Sequence, residues 1–105
     1  MSDITHGTDN IFADLGLPDA ADRQTKTRLA MAVNEIIQGR KLKQRQAASI
    51  LGIPQPKVSA LINYRLDGFS VERLMQFLTA LDQDVEIMIR PRSHDVGAVS
   101  VLTVR

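Results

Sequence analysis

Apolar residues recur at helical spacing over most of this 105-residue chain. One stripe predicts a long helix that opens near Asp19 and stops at Gly39, with these buried positions: Leu29, Ala30, Val33, Ile36 and Ile37. A later stripe follows Ser70, which is a suitable helix cap, and closes the predicted core: Val71, Leu74, Phe77, Leu78 and Leu81. Helices therefore dominate the predicted fold as far as residue 82.

Two shorter apolar stripes lie between these helices, with a glycine separating them. The first contains Ala47, Ala48, Ile50 and Leu51, and the second contains Val58, Leu61 and Ile62. Gly52 can adopt the positive φ that a tight turn between two helices requires, and the small Ala48 permits their close crossing. The spacing predicts a helix-turn-helix, although a helical hairpin used only for packing can show the same pattern.

The second helix of this motif has an outward surface that suits the major groove of DNA. Its side chains are short, polar or basic: Gln55, Pro56, Lys57, Ser59 and Ala60. Gln55 can pair bidentately with adenine and is the strongest candidate for base readout, whereas Lys57 can read guanine or bind phosphate. A second set is expected to contact the DNA backbone: Lys43, Gln44, Arg45, Asn63 and Arg65.

Positive charge is concentrated on the same stretch. Residues 36–66 contain six basic and no acidic residues, which is a net charge of +6. Residues 1–35 carry −3 and residues 67–105 carry −2, so the whole chain carries +1. A solvated face can have this composition, but attraction of phosphate groups makes better use of it.

The two ends of the chain differ from its helical middle. Residues 1–10 are polar and predict a flexible arm, and the apolar run 11–17 predicts a short turn against the domain or a partner. Alternation over 85–90 and a β-prone run at 98–104 predict a C-terminal β-strand or hairpin. The predicted organisation is an arm at 1–10, a helix-turn-helix domain at 11–82 and a β extension at 83–105. Two strands are marginal in water, so the extension is expected to serve dimerisation, with an intramolecular hairpin as the alternative.

From Leu42 to Leu81 the chain resembles the XRE-type helix-turn-helix family, which includes the lambda and Cro repressors. The longer run from Asn10 to Arg92, with NIFADLGLPDA at its front and LKQRQAASILGIPQP within it, resembles the HigA-like antitoxin regulators. The resemblance implies a mainly α, lambda-repressor-like domain of four to five helices. It also implies that Gln44 braces Gln55. Where the family often has Ser or Thr before the recognition helix, this chain has Pro54.

Enzymatic chemistry is not expected. With no cysteine, disulfides, thiol catalysis and Cys-based zinc sites are excluded. His6 and His94 have no metal-ligand spacing around them, and no glycine-rich phosphate loop occurs. We therefore expect no cofactor or metal. No apolar run approaches the roughly 20 residues that span a membrane, and we expect a cytoplasmic protein.

These patterns favour a dimeric, sequence-specific regulator that binds double-stranded DNA. By resemblance, it would repress its own operon and bind a RelE- or HigB-like ribonuclease toxin. One alternative is a protein-interaction module whose helix-turn-helix no longer binds DNA. Another is a stand-alone XRE-type repressor without a toxin.

Overall fold

The computed structural model describes residues 19–92 and 98–104, and four helices lie within them. They are α1 (Asp19–Gly39), α2 (Gln44–Leu51), α3 (Gln55–Ile62) and α4 (Val71–Ala80). The main packing partners are α1 with α4 and α2 with α3, and α1 also contacts α3. These helices agree with the helical part of the prediction. The predicted arm at 1–10, the turn at 11–17 and both histidines lie outside the described residues.

The core is formed by the apolar faces of all four helices. The side chains predicted for α4 and for the helix-turn-helix supply most of its largest fully buried members: Phe77, Leu61, Leu74, Leu81, Val33 and Val58. Burying a side chain of this size contributes about 1.5–3 kcal/mol. The core therefore fixes α3 between α1 and α2, with one face inside and the other outside.

The corner between α2 and α3 has the predicted geometry. Gly52 is left-handed, with φ 70° and ψ 34°, and its N–H donates to the carbonyl of Ala48 at 2.9 Å. The prediction for Ile50 is wrong, since its side chain is 39% exposed. The short helix turns Ala47 and Leu51 to the core, one helical turn apart, and this leaves Ile50 at the edge of the buried face.

Ser70 caps α4 as predicted, and its hydroxyl accepts a hydrogen bond from the N–H of Arg73 at 3.0 Å. Phe69 precedes the cap and packs edge-on against Phe77, with 5.8 Å between the ring centroids. This aromatic pair joins the loop after α3 to the body of α4. The start of α4 is thereby held at a fixed position beside the helix-turn-helix.

The ends of α1 and α4 are joined by Arg40. Its Nη2 donates to the carbonyl of Leu81 at 2.8 Å, and its Nη1 lies 3.3 Å from the carboxylate of Asp82. Helix α1 ends at Gly39 as predicted, but the left-handed residue that turns the chain is Lys41, with φ 55°. The charge of Arg40 thus stabilises the C-terminal end of α4, where the helix dipole favours a cation.

The predicted C-terminal β-strand or hairpin is wrong for the described residues, which contain no strand in 83–92 or 98–104. Within this part of the chain, no backbone hydrogen bond outside the helices involves a residue beyond Gln83. Val85 and Val101 pack against the helices, whereas Met88 is 81% and Ile89 68% exposed. Alternating apolar and polar residues favour an extended backbone, but a strand also requires a neighbouring backbone as its hydrogen-bond partner.

Two glycines provide a matched test of the corner. A Cβ placed on Gly52 or Gly39 would meet no atom within 4 Å, but only Gly52 of the two has a positive φ. We expect Gly52→Ala to lower the free energy of unfolding by about 1–2 kcal/mol, because a left-handed alanine is strained. Gly39→Ala should leave it unchanged or raise it by up to about 1 kcal/mol. Urea unfolding followed by circular dichroism measures both, and equal effects would contradict the assigned corner.

Candidate nucleic-acid interface

Helix α3 has two distinct faces. Val58 and Leu61 are fully buried and turn one face to the core. Gln55, Ser59 and Asn63 follow at four-residue intervals, so they share a face on the opposite flank. Gln55 and Asn63 are exposed and Ser59 is half-buried. The predicted base-reading side of α3 is therefore open to solvent.

None of the ten predicted contact residues, all of which the structure describes, is buried in the core. The exposed members are Lys43, Arg45, Gln55, Pro56, Lys57, Asn63 and Arg65, and the half-buried members are Gln44, Ser59 and Ala60. Ser59 and Ala60 are small, and the outward side of each is open to solvent although Ala60 also packs against the core. A large partner such as a groove of DNA can approach the helix backbone closely there.

The start of α2 carries positive charge where helices prefer negative charge. Lys43 is the N-cap, Arg45 follows in the first turn, and that turn contains no acidic residue. The side-chain oxygen of Gln46 accepts from the N–H of Lys43 at 2.8 Å, which satisfies one donor of the helix end. Because the positive end of the helix dipole and two cations coincide, this end of α2 suits an anion.

The start of α3 is shaped by two prolines. Pro54 is the N-cap, with φ −64° and ψ 150°, and Pro56 lies in the first turn. No side chain caps this helix, as expected from the absence of Ser or Thr at residue 54. Proline fixes φ in advance and is tolerated in a first helical turn. The helix start that carries Gln55 is therefore stiff although it is uncapped.

Two predicted contact residues already have partners within the protein. Lys57 donates from Nζ to the carbonyl of Gly68 at 3.3 Å and lies 5.1 Å from the centroid of the Phe69 ring. Asn63 donates from Nδ2 to the carbonyl of Ser59 at 2.8 Å, one turn earlier in α3. These bonds orient both side chains, and the surface they form is partly preorganised.

The comparisons with known proteins match this geometry. A family model described as a helix-turn-helix domain matches residues 11–90. A solved structure named as an XRE family transcriptional regulator is 61% identical, with a TM-score of 0.79. That match covers 83% of this chain and 100% of the other. None of the curated proteins compared with the chain matches it. The chain belongs to the XRE-type helix-turn-helix family.

Of two expectations that follow from the XRE-type resemblance, the structure meets the first and not the second. The helix-turn-helix lies where the resemblance placed it, with α2 and α3 on either side of Gly52. The expected brace between Gln44 and Gln55 is not formed, since among the described residues no hydrogen bond joins these two side chains. In this XRE-type chain, the two prolines stiffen the start of α3 without that brace.

Sequence reasoning missed Asn34, which connects α1 to the recognition helix. Asn34 is 8% exposed, and its Nδ2 donates to the carbonyl of Leu61 at 3.1 Å. Its Oδ1 is buried and has no hydrogen-bond partner among the described residues. The signal was present, because Asn34 interrupts the apolar stripe of α1 one turn after Ala30. A polar residue in such a stripe indicates a buried hydrogen bond.

Tyr64 lies just after the end of α3, and its side chain is largely open to solvent. It is 45% exposed, and its φ of 59° is left-handed.

The described residues contain no cluster of His, Cys, Asp and Glu that could hold a metal ion. Among the same residues, no helix is long and apolar enough to cross a membrane.

Proposed function

We propose that this protein is a homodimeric repressor that binds an operator upstream of its own gene and acts as the antitoxin of a RelE- or HigB-like ribonuclease toxin. The observation that carries the DNA-binding part is the face of α3. Gln55 is exposed there, the small Ser59 and Ala60 are half-buried, and the neighbouring helix α2 begins with the cations Lys43 and Arg45. An uncharged reading surface between cations is what sequence-specific binding of DNA requires.

Base reading is assigned to Gln55. It is the first residue of α3, its side chain is exposed, and Pro54 and Pro56 restrict the backbone on both sides of it. A glutamine amide matches the donor and acceptor of adenine in the major groove. Recognition helices of this class place their first residues against base edges, so the position of Gln55 supports this role.

Backbone contacts are assigned to both ends of the motif. Lys43, Gln44 and Arg45 lie at the start of α2, and Asn63 and Arg65 lie at the end of α3. Side chains at both places can reach phosphates on the two sides of a groove while α3 lies within it. Such contacts set the position of the protein and make its affinity depend on salt.

Dimerisation is assigned to the C-terminal segments, without a role for β structure. Their exposed apolar side chains are Ile87, Met88, Ile89, Val99, Leu102 and Val104. Val85 and Val101 hold the two segments against the helices, so this apolar surface belongs to the domain. A surface of this kind favours contact with a second copy, and a two-fold dimer reads half-sites about 34–36 Å apart.

The toxin role rests on the HigA-like resemblance and on the exposed side of α1. Met31 is 48% exposed in the middle of that helix, on the side opposite the buried Leu29 and Val33. A large apolar side chain on a charged helix is a suitable contact for a protein partner. The apolar run 11–17, which lies outside the described residues, is the other candidate surface.

If α3 binds DNA as proposed, substitutions of Gln55 and Arg45 should affect binding in different ways. Gln55→Ala should weaken preference at one base position by about 1–3 kcal/mol, because one bidentate contact is lost. Arg45→Ala should weaken binding to all duplexes and flatten the dependence of log K on log salt by about 0.9, because one phosphate contact is lost. Gel-shift titrations against the upstream DNA and single-position variants of it measure both effects.

The same titrations decide whether the assigned roles hold. Equal effects of the two substitutions on every duplex would contradict the division between base reading and phosphate binding. If the wild-type protein does not bind the upstream DNA with an affinity that falls steeply as salt rises, the repressor proposal fails and the interaction module is favoured.

The dimer proposal is tested by a charge on the C-terminal apolar surface. Ile89→Glu should raise the dimer dissociation constant by about tenfold or more, because a buried unpaired charge costs several kcal/mol. Met31→Glu introduces the same charge on α1 and should leave the mass unchanged. Analytical ultracentrifugation measures both, and a monomeric wild-type protein, or an Ile89→Glu variant that stays dimeric, would contradict the assignment.

The same two variants test the antitoxin proposal, with Met31→Glu now as the test variant and Ile89→Glu as its control. Met31→Glu should reduce co-purification with the product of the neighbouring gene, because the charge falls in the assigned contact, whereas Ile89→Glu should retain it. A neighbouring gene that encodes no ribonuclease-like protein would favour the stand-alone repressor instead.

A further inference from the structure

A shallow cleft of about 480 Å³ lies between the turn before α3 and the start of α4. Its lining includes Pro54 from the turn, Gly68 and Phe69 from the loop after α3, and two cationic side chains, Lys57 and Arg73. No acidic residue lines the cleft in the described part of the chain. Two cationic side chains from different helices therefore line one concave surface.

Both cations are held in place by aromatic rings. The Nζ of Lys57 lies 5.1 Å from the centroid of Phe69, and the guanidinium carbon of Arg73 lies 5.0 Å from that of Phe77. The two rings pack edge to face, with an angle of 77° between their planes. Lys57 and Arg73 are thus attached to one rigid aromatic pair, and a ligand would bind them at a small cost in side-chain entropy.

Most hydrogen-bond donors of the two cations remain available. Lys57 donates to the carbonyl of Gly68, and Arg73 donates from Nη1 to the side-chain oxygen of Gln76 at 3.1 Å. An ammonium carries three donors and a guanidinium carries five, so several donors lack partners among the described residues. Asp67 and Glu72 are close in sequence but are exposed and do not line the cleft.

The cleft lies beside the reading face of α3 and is not part of it. Successive residues of a helix turn by about 100°, so Lys57 lies about 200° around α3 from Gln55. It is one turn before the buried Leu61, whereas Gln55 is one turn before Ser59. The outward face of α3 runs from Gln55 through Ser59 to Ala60, which lies about 140° around the helix from Gln55, and Lys57 lies about 60° beyond Ala60. When the middle of that face meets the bases, Lys57 points to the flank of the groove, where the sugar-phosphate backbone runs.

We infer that Lys57 and Arg73 form one binding site for a phosphate group of the DNA backbone at the edge of the contacted groove. This inference rests on the proposed DNA-binding function and makes Lys57 a phosphate contact in place of a base reader. It also adds Arg73, from outside the helix-turn-helix, to the interface. A cationic fork with aromatic support suits phosphate because charge-assisted hydrogen bonds to its oxygens are strong.

The test uses Lys57→Gln and Arg73→Gln, with Arg28→Gln on the exposed side of α1 as a control of equal charge change. Thermal unfolding of each variant first establishes that it is folded. Binding to the upstream duplex is then measured over a range of salt concentrations, with the set of single-position base variants. Each cleft variant should flatten the salt slope by about 0.9 and leave base preference unchanged. The control should keep the wild-type slope, and Lys57→Arg, which keeps the charge, should restore it.

Replacement of single phosphates by neutral methylphosphonates locates the contact. At one position the replacement should weaken the wild-type protein but leave Lys57→Gln unaffected, because that variant has already lost the contact. A change of preference at one base position in Lys57→Gln would overturn the inference, since Lys57 would then read a base. Wild-type slopes in both cleft variants would also overturn it, while an Arg45→Ala variant with a flattened slope would leave the proposed function standing.

Inorganic phosphate distinguishes the two sources of a phosphate group. It is added to the DNA-free protein at constant ionic strength, and the amide resonances of Gly68 and Phe69 are followed in the wild type and in Arg73→Gln. Resonance shifts that Arg73→Gln abolishes, together with no methylphosphonate effect, would assign the cleft to a small phosphorylated ligand and overturn its assignment to DNA. Failure of the wild-type protein to bind any duplex would instead remove the proposed function on which the inference rests.

Discussion

Burial of Val58 and Leu61 against α1 and α2 is the constraint on which the rest of the structure depends. Helix α3 is only eight residues long, and these two side chains are fully buried. Their burial, together with the hydrogen bond from Asn34 to the carbonyl of Leu61, fixes which face of α3 points to the core. The outward direction of Gln55 and Ser59 is a consequence of that packing. The outward face of α3 is therefore fixed by the packing of its inward face.

The charge distribution around α3 opposes the usual rules of helix stability. The first turns of α2 and α3 contain no acidic residue, and Lys43 occupies the N-cap of α2, whereas α4 begins with Ser70 and Glu72 as helices prefer. Local departures of this kind are expected where function competes with stability. Arg40 differs from the cations at the start of α2, because it follows the usual rule and donates to the carbonyl of Leu81 at the C-terminus of α4. Of the six basic residues in 36–66, Arg40 is thus already paired within the protein.

Much of the fold could be predicted from the sequence because helical spacing and glycine chemistry act locally. The core positions of α4 and the left-handed Gly52 follow from patterns within a few residues of each other. The β extension could not be predicted reliably, because alternation in 85–90 reports a preference and not a pairing partner. The roles of Asn34 and Lys57 depend on contacts with Leu61 and Phe69, which are distant in sequence and which only the packing brings close. Arg73 contacts Phe77 one turn later in α4, but its place beside Lys57 at the same cleft follows from the packing of α4 against the helix-turn-helix.

The central claim is that the outward face of α3 enters a groove of DNA. Titration of the ¹⁵N-labelled protein with the duplex upstream of its own gene tests this claim most directly. We expect large chemical-shift changes at the side-chain amide of Gln55 and the backbone amides of Ser59 and Ala60. We also expect small changes at Arg28 and Met31 on the exposed side of α1. Changes confined to α1, with the resonances of α3 unmoved, would contradict the account.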